Sequence, residues 1–429
     1  MTEVAEEKEI IETATIQAMG RNKYGNLEEE DLKETLKNQD VTVEKSGRNF
    51  KLTFKKSNRK YIINSNGESE SIEEIKPTAI YAKLETDGTL KLRSTPLQGY
   101  EEGTKWNSPD ILKVVIEEPI APKTCARMFS ECINLEGIEN MNYLHTENAT
   151  SMERMFQKCE KLKNINTSYL DTHNVKDMSY MFGNCLLLEK IDVSNFNTSQ
   201  VTYMARMYEY CKNLKQLDLT GFDVSKVTSM TSMFQYSGLE SIDFSNCNAE
   251  SLKDVTWMFS YCKNLKKLDF TNFKTGKLEG IREMFYACEN LKTLNLNGFD
   301  TSEATTMSNA FTGCKNLENL NISSFRTEKV TTMYSMFEGC SSLKNIDVSN
   351  FNTAKVTTMQ YMFMNCSSLE TLDLQSFSTA SIQGNRRASM FGNDANLNKI
   401  LVSKDWSLDY NEDTSIFVGC GVKEVTVVE

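Results

Sequence analysis

Apolar and polar residues follow a block pattern that recurs along most of the chain about every 26 residues. Within one block, Val227, Met230, Met233 and Phe234 are spaced i, i+3, i+6 and i+7. This spacing predicts a short helix with one apolar face. Residues 242–244, Ile-Asp-Phe, alternate apolar and polar as a strand does. Each block is therefore predicted to form one short helix and one strand.

The block occurs twelve times, and successive copies of its central aromatic residue are 25 to 28 residues apart. A constant period of about 20–50 residues is typical of solenoids, in which each repeat buries its apolar face against its neighbours. In ten copies a cysteine follows the aromatic residue by three positions, whereas Phe234 and Phe391 are followed by Ser237 and Asp394. The aromatic–cysteine pairs are Phe129/Cys132, Phe156/Cys159, Phe182/Cys185, Tyr208/Cys211, Phe259/Cys262, Phe285/Cys288, Phe311/Cys314, Phe337/Cys340, Phe363/Cys366 and Phe417/Cys420.

A second apolar position, such as Phe222, closes each block, and a threonine often follows it by two residues. A threonine in front of a helix can accept a hydrogen bond from the first free backbone N–H groups. We therefore predict that these threonines cap the next helix. They are Thr198, Thr275, Thr301, Thr327, Thr353 and Thr379.

The pattern divides the chain into three parts, of which the longest is a curved α/β solenoid of about 12 repeats at residues 123–429. Residues 77–122 contain all five prolines and are interpreted as a linker and N-terminal cap, with a hairpin at Asp87-Gly88. Residues 1–76 are predicted to form a small α+β domain. It has an acidic helix at 3–19, a second helix ending near Leu36, and strands at 41–43, 50–54 and 61–63.

Composition and charge exclude several classes of protein. The 429 residues carry a formal net charge of -11, which argues against a general nucleic-acid binder because such proteins need a basic face. No run of 18 apolar residues is present, so no membrane span is predicted, and the acidic start does not read as a secretory signal. No phosphate-binding loop, nucleophile motif or metal-binding histidine motif occurs. We therefore expect no enzyme activity, no cofactor and no metal centre.

The twelve cysteines are predicted to be core residues. Most lie in a periodic apolar column, and no Cys-x-x-Cys motif occurs. Disulfides between neighbouring turns are the alternative, but equivalent side chains in stacked turns point in the same direction. Buried free thiols acting as small apolar side chains are the favoured interpretation. The methionine columns are likewise interpreted as core rather than as a binding face.

An acidic column occupies the residue after the apolar residue of each strand, and it is expected to point outward. It comprises Asp192, Asp218, Asp243, Asp269, Asp347 and Asp373, with asparagine at 166, 295 and 321. Like charges on neighbouring strands repel, so something must offset them. The favoured explanation is local hydrogen bonding together with nearby lysines such as Lys190, Lys215, Lys266 and Lys267. The alternative is a ligand-binding stripe for a basic protein segment or Ca²⁺.

Five aromatic residues occupy polar positions between the methionines, and repeated exposed aromatics can anchor a ligand. They are Tyr180, Tyr203, Trp257, Tyr334 and Tyr361. Their irregular placement favours ordinary surface aromatics. Trp257, Tyr334 and Tyr361 are nevertheless kept as candidate ligand-binding residues beside the acidic column.

The repeat at residues 330–353, VTTMYSMFEGCSSLKNIDVSNFNT, resembles the BspA-like leucine-rich-repeat surface proteins of bacteria, and the resemblance covers about residues 120–420. It implies a leucine-rich-repeat solenoid on a bacterial cell-surface or extracellular protein. It also implies a function in adhesion to an extracellular protein or glycan ligand, including host matrix proteins.

The segment VAEEKEIIETATIQAMGRNKYGNLEEEDLKETL near the N-terminus is similar to the part of type IV pilin-like proteins of Gram-positive bacteria that follows their membrane anchor. It implies that the natural protein is anchored through a segment upstream of Met1 that this chain lacks. The expected function is therefore a non-enzymatic, adhesin-like surface protein. The alternative is a structural, minor pilus-like or cell-envelope component in which the array is a spacer.

Overall fold

The computed structural model describes most of the chain. The described residues are 3–19, 27–39, 41–46, 49–54, 60–64, 69–72, 78–245, 247–384, 386–407 and 416–428. Of these described residues, no helix is long and apolar enough to cross a membrane.

The N-terminal residues form a small unit of two helices and an antiparallel sheet with its own apolar core. The elements are α1 (Glu3–Met19), α2 (Glu29–Leu36), β1 (Val41–Ser46), β2 (Asn49–Phe54), β3 (Lys60–Asn64) and β4 (Ser69–Ile72), in sheet order β1-β2-β3-β4. Helix α1 buries Ile11, Ala14 and Ala18, which the helical period places on one face. Both predicted helices and the three predicted strands are present, and β4 is a strand that the sequence analysis missed.

Residues 78–139 begin the solenoid with a five-stranded sheet. Its strands are β5 (Tyr81–Leu84), β6 (Thr89–Arg93), β7 (Glu101–Glu102), β8 (Lys113–Ile116) and β9 (Gly137–Glu139), in the order β7-β5-β6-β8-β9. The predicted hairpin at Asp87-Gly88 joins β5 to β6. Gly88 has φ +84°, and a Cβ there would lie 2.8 Å from the Asp110 carbonyl oxygen, so only glycine fits. Strands β6, β8 and β9 pair in parallel, so this segment belongs to the same stack as the repeats.

The repeats continue this stack as a β-solenoid of about 13 turns of about 26 residues. Neighbouring turns pair in parallel, in short strands or through isolated bridges such as Asp177–Tyr203. One 3₁₀ turn, Met141–Tyr143, lies near the start. The remaining strands are β10 (Ser241–Asp243), β11 (Asn248–Ala249), β12 (Lys267–Asp269), β13 (Lys274–Thr275), β14 (Thr293–Asn295), β15 (Asn319–Asn321), β16 (Thr371–Leu374), β17 (Lys399–Val402) and β18 (Thr426–Val427).

The prediction of a helix in every repeat is wrong, and the fold is a β-solenoid rather than an α/β solenoid. In the described part of residues 78–428 no α-helix occurs. The Met181 N–H instead closes a tight turn on the Met178 carbonyl at 3.2 Å, and the next N–H, of Phe182, binds the Met207 carbonyl of the following turn at 3.0 Å. Tyr180, between the two methionines, has φ +57°, which a right-handed helix does not allow. Consecutive β-turns also point every third side chain into the solenoid core. They therefore produce the same spacing of apolar residues as a helix with one apolar face.

Stacked columns of identical side chains form the solenoid core. The aromatic rings from Phe129 to Phe417 stack turn upon turn, with neighbouring centroids 5.4–6.2 Å apart. All twelve cysteines are free and buried, which confirms the prediction of core thiols. Eight of them donate to the aromatic-column carbonyl of the preceding turn at 3.0–3.3 Å, as Cys314 does to Phe285. Burial raises the pKa of Cys314 to about 12, so this thiol is unreactive at neutral pH.

The threonine column does not cap helices; it links one turn to the next. Thr301 is buried, and its Oγ1 donates to the Arg326 carbonyl at 2.9 Å while accepting the Arg326 N–H at 2.8 Å. Thr198, Thr327 and Thr353 make the same donor bond to the next turn. One hydroxyl therefore satisfies two backbone groups of the next turn.

The Thr301→Val variant is expected to lose about 1–3 kcal/mol of stability, because the shape is kept while the N–H and carbonyl of Arg326 lose their partner. Urea unfolding followed by circular dichroism measures this change. The matched control is Thr305→Val, since the exposed Thr305 hydroxyl only donates to the Glu279 carbonyl at 3.4 Å. Equal losses in the two variants would contradict the role of the threonine column.

Candidate functional site

The strand side of the solenoid carries an open groove that runs across seven turns. We call it the strand-face groove. It consists of two adjoining hollows of about 1280 and 640 Å³ that share Lys267 and Asp269. The charged residues lining it are Glu189, Lys190, Lys215, Asp218, Glu240, Asp243, Lys267, Asp269, Glu318 and Asp347.

The structure brings four of the six predicted aspartates into this groove. Asp243 and Asp269 lie directly opposite each other on the paired strands β10 and β12. Asp218 lies on the turn before Asp243, and Asp347 lines the far end of the groove. Asp192 and Asp373 occupy equivalent exposed positions on earlier and later turns. A parallel pair places neighbouring strands about 4.8 Å apart, so these carboxylates form a row of closely spaced charges.

Local hydrogen bonds stabilise the charged form of these aspartates. In each of the six, Oδ1 accepts the N–H of the residue two positions later at 2.8–3.0 Å. The bonds from Thr220 and Thr271 lower the pKa of Asp218 and of Asp269, and those from Ser194 and Ser349 lower the pKa of Asp192 and of Asp347. These four aspartates therefore stay ionised while they face solvent, as binding of a cationic ligand would require.

Lysines and amides complete the groove. Lys190, Lys215 and Lys267 line the first hollow, and Lys266 pairs with Glu240 at 2.9 Å. The second hollow contains amide side chains in place of most charges. They are Asn295, Asn319, Asn321 and Asn345. The second hollow therefore combines charged side chains, among them Glu318 and Asp347, with neutral hydrogen-bonding groups.

The predicted aromatic residues do not line the strand-face groove. They lie on the turns between the methionine columns, a surface that we call the turn face. Trp257 lies 5.7 Å from the Arg282 guanidinium, and Tyr334 meets Tyr361 edge-on with centroids 5.6 Å apart. Tyr180 is stacked between Arg154 and Arg206. These aromatics and the aspartates therefore belong to different surfaces.

A tyrosine ladder on the turn face escaped the sequence analysis. Tyr210, Tyr236, Tyr261 and Tyr286 stack with successive centroids 4.5, 4.4 and 5.0 Å apart. Burial and the neighbouring tyrosines raise the pKa of Tyr236 to about 12. The four tyrosines are 26, 25 and 25 residues apart, close to the repeat period, and this spacing could have predicted the ladder.

Both histidines have carboxylate partners that their isolated positions did not suggest. His173 Nδ1 lies 2.6 Å from Asp171 Oδ1, and His145 Nδ1 lies 3.5 Å from Glu147 Oε1. Burial raises the pKa of Asp171. In the described part of the chain no group of three or more His, Cys, Asp or Glu side chains could hold a metal ion.

The stacked columns, parallel rungs and repeated groove define a solenoid repeat protein. The chain belongs to the family described as Mycoplasma protein of unknown function, DUF285, whose model matches residues 123–240, 215–318 and 280–406, about two-thirds of the chain. This match fits the resemblance to BspA-like repeat proteins. No curated protein matches the sequence.

Proposed function

We propose that this chain is a non-enzymatic bacterial cell-surface or extracellular protein that binds a protein or glycan ligand through the strand-face groove. The groove itself is the observation that supports this most, because it continues over seven turns and presents exposed, fixed charges. The membership in a repeat family and the resemblance to surface proteins agree with a binding function. Repeat solenoids commonly bind through such extended surfaces.

The row of aspartates favours a basic protein segment as the ligand for the first hollow. Asp218, Asp243 and Asp269 occur on consecutive turns, so a cationic side chain reaching the groove would meet more than one carboxylate. Glu189 and Glu240 add to this charge, although Lys215 and Lys267 reduce it. Complementary charges of this kind mainly raise the association rate and the selectivity for the partner.

The experiment compares binding of the intact chain to a panel of matrix proteins and glycans at low and high salt. Changing Asp218, Asp243 and Asp269 together to asparagine is expected to weaken binding at least about tenfold at low salt, since several charge interactions are lost. Binding is measured by surface plasmon resonance.

The control changes Asp177, Asp254 and Asp300 to asparagine. Each of them accepts a backbone N–H from the residue two positions later, as the groove aspartates do, but none lines the groove. Undiminished binding by the groove variant would reject the acidic column as the binding surface. Equal weakening by both variants would show that the loss of binding comes from the change in net charge and not from the groove.

The alternative is a structural component in which the solenoid acts as a spacer on a pilus-like or envelope assembly. One continuous core from Ile80 to Cys420 supports it, because an uninterrupted stack of turns resists bending. A folded chain that binds nothing across the panel, but copurifies with the cell envelope, would favour this alternative.

A further inference from the structure

A second groove, on the turn face, has a different chemical character. It has a volume of about 690 Å³ and lies between the columns that precede and follow the first methionine of each repeat. Arg282 and Arg386 lie at its two ends, hydroxyl and amide side chains lie between them, and none of its described lining residues is acidic. This is unusual on a chain whose net charge is -11. We call it the arginine groove.

The geometry of the stack sets the length of the arginine groove. Thr306, Thr332 and Thr358 form a ladder of bridged residues along one side. Arg386 continues that ladder, because its carbonyl accepts the Met359 N–H at 2.9 Å and the Thr358 hydroxyl at 3.3 Å. Arg282 lies four turns before Arg386, so the two ends are about 19 Å apart at roughly 4.8 Å per turn.

The two arginines are held in different ways. Arg282 packs over Trp257 at 5.7 Å, and its Nε lies 3.3 Å from Glu283 Oε1, which orients the guanidinium and leaves its terminal nitrogens for other partners. The Arg386 side chain is exposed and makes no ion pair with any residue that the structure describes. It occurs in the repeat that is two residues longer than the usual 26.

One of these columns contains two carboxylates, among uncharged residues, in earlier turns. The position of Thr306 and Thr332 is occupied by Asp177 and Asp254 farther back along the ladder. From Gly280 onward the ladder contains no carboxylate in the described residues, and arginine is present at both ends. The carboxylates of this ladder therefore end before the groove begins.

We propose that the arginine groove binds a linear glycan that carries sulfate or carboxylate groups. Guanidinium groups bind such oxyanions through paired, charge-assisted hydrogen bonds. Between them, Asn309 and the hydroxyls of Ser308 and Thr332, which bond each other at 2.9 Å, give the groove a polar lining suited to sugar hydroxyls, and the half-exposed Tyr334 ring offers an apolar face. This site lies on a different face from the strand-face groove and does not depend on its function.

The experiment measures binding of the intact chain to immobilised heparin oligosaccharides, hyaluronan and neutral dextran. Saturable binding to heparin and none to dextran is expected, and hyaluronan shows whether carboxylates suffice without sulfate. Arg386→Gln and Arg282→Gln are each expected to weaken heparin binding about tenfold or more, the typical loss when a charged hydrogen-bonding group is removed.

The matched control is Arg326→Gln, which removes one exposed arginine outside the groove and should leave the affinity within about twofold. The Asp218/Asp243/Asp269 variant should also bind heparin normally, which separates this site from the proposed function. No saturable heparin binding, or equal losses from Arg386→Gln and Arg326→Gln, would overturn the proposal.

Discussion

The Asp394→Cys variant is expected to be more stable than the unmodified chain at pH 9, by on the order of 3 kcal/mol, and nearly equal to it at pH 4. Asp394 occupies the cysteine column of the eleventh repeat, where it is buried and neither carboxylate oxygen has a hydrogen-bond partner in the described structure. Burial raises the pKa of Asp394 from 3.8 to about 8. The folded protein therefore holds a proton that the unfolded chain releases.

The direction of the pH dependence follows from this raised pKa. Between pH 4 and pH 8 the folded state binds more protons than the unfolded state, so stability decreases as the pH rises through this window. Above about pH 8 a charged carboxylate must be buried beside the thiols of Cys366 and Cys420. A cysteine at 394 removes that cost and restores a neutral side chain like those of the other turns.

Thermal unfolding of the two proteins at pH 4, 6 and 9 in reducing buffer measures the difference. Ser237→Cys is the matched control, because Ser237 is the other exception in the column and is buried but uncharged. It should change stability by a similar small amount at all three pH values. A difference for Asp394→Cys that is independent of pH would contradict a buried, protonated Asp394.

Replacing Phe311 with alanine is expected to lower the free energy of unfolding by about 3–5 kcal/mol, the usual cost of emptying a large buried site. The Phe311 ring stacks between Phe285 and Phe337, with centroids 5.6 and 5.5 Å away, and it is fully buried. Because each turn contacts only its neighbours, this cavity also weakens the coupling between the two halves of the solenoid. We therefore expect the single unfolding transition to separate into two.

Hydrogen exchange and urea unfolding together measure both effects. Phe311→Leu keeps most of the volume and should cost only about 1–2 kcal/mol, without separating the transition. Phe417→Ala tests whether the loss of stability depends on the position in the stack. Phe417 lies on the last turn and is only partly buried, so its loss should be smaller. A loss from Phe417→Ala as large as that from Phe311→Ala would contradict the nearest-neighbour account.

The sequence predicted the core of the solenoid better than the path of its backbone. The period, the aromatic column and the buried cysteines follow from spacing, because stacked turns must repeat whatever lies inside. The helix prediction failed because Val227, Met230 and Met233 satisfy both a helix and a series of tight turns. Local spacing does not distinguish the two, since the deciding bonds, such as that from Phe234 N–H to the Met258 carbonyl, join residues 24 positions apart.

The candidate sites also divide into features that the sequence predicted and features that only the structure revealed. By itself the sequence determined that the aspartates form an exposed column, because alternation along a strand assigns each residue to one side. Only the tertiary structure separated that column from Trp257 and Tyr334, and placed Arg282 and Arg386 at the ends of one groove. The physical reason is that a constant period places equivalent residues of successive repeats in one column, so the period alone determines which side chains stack. Which different columns meet across a surface depends on the route of the chain between them, and hydrogen bonds between turns decide that route.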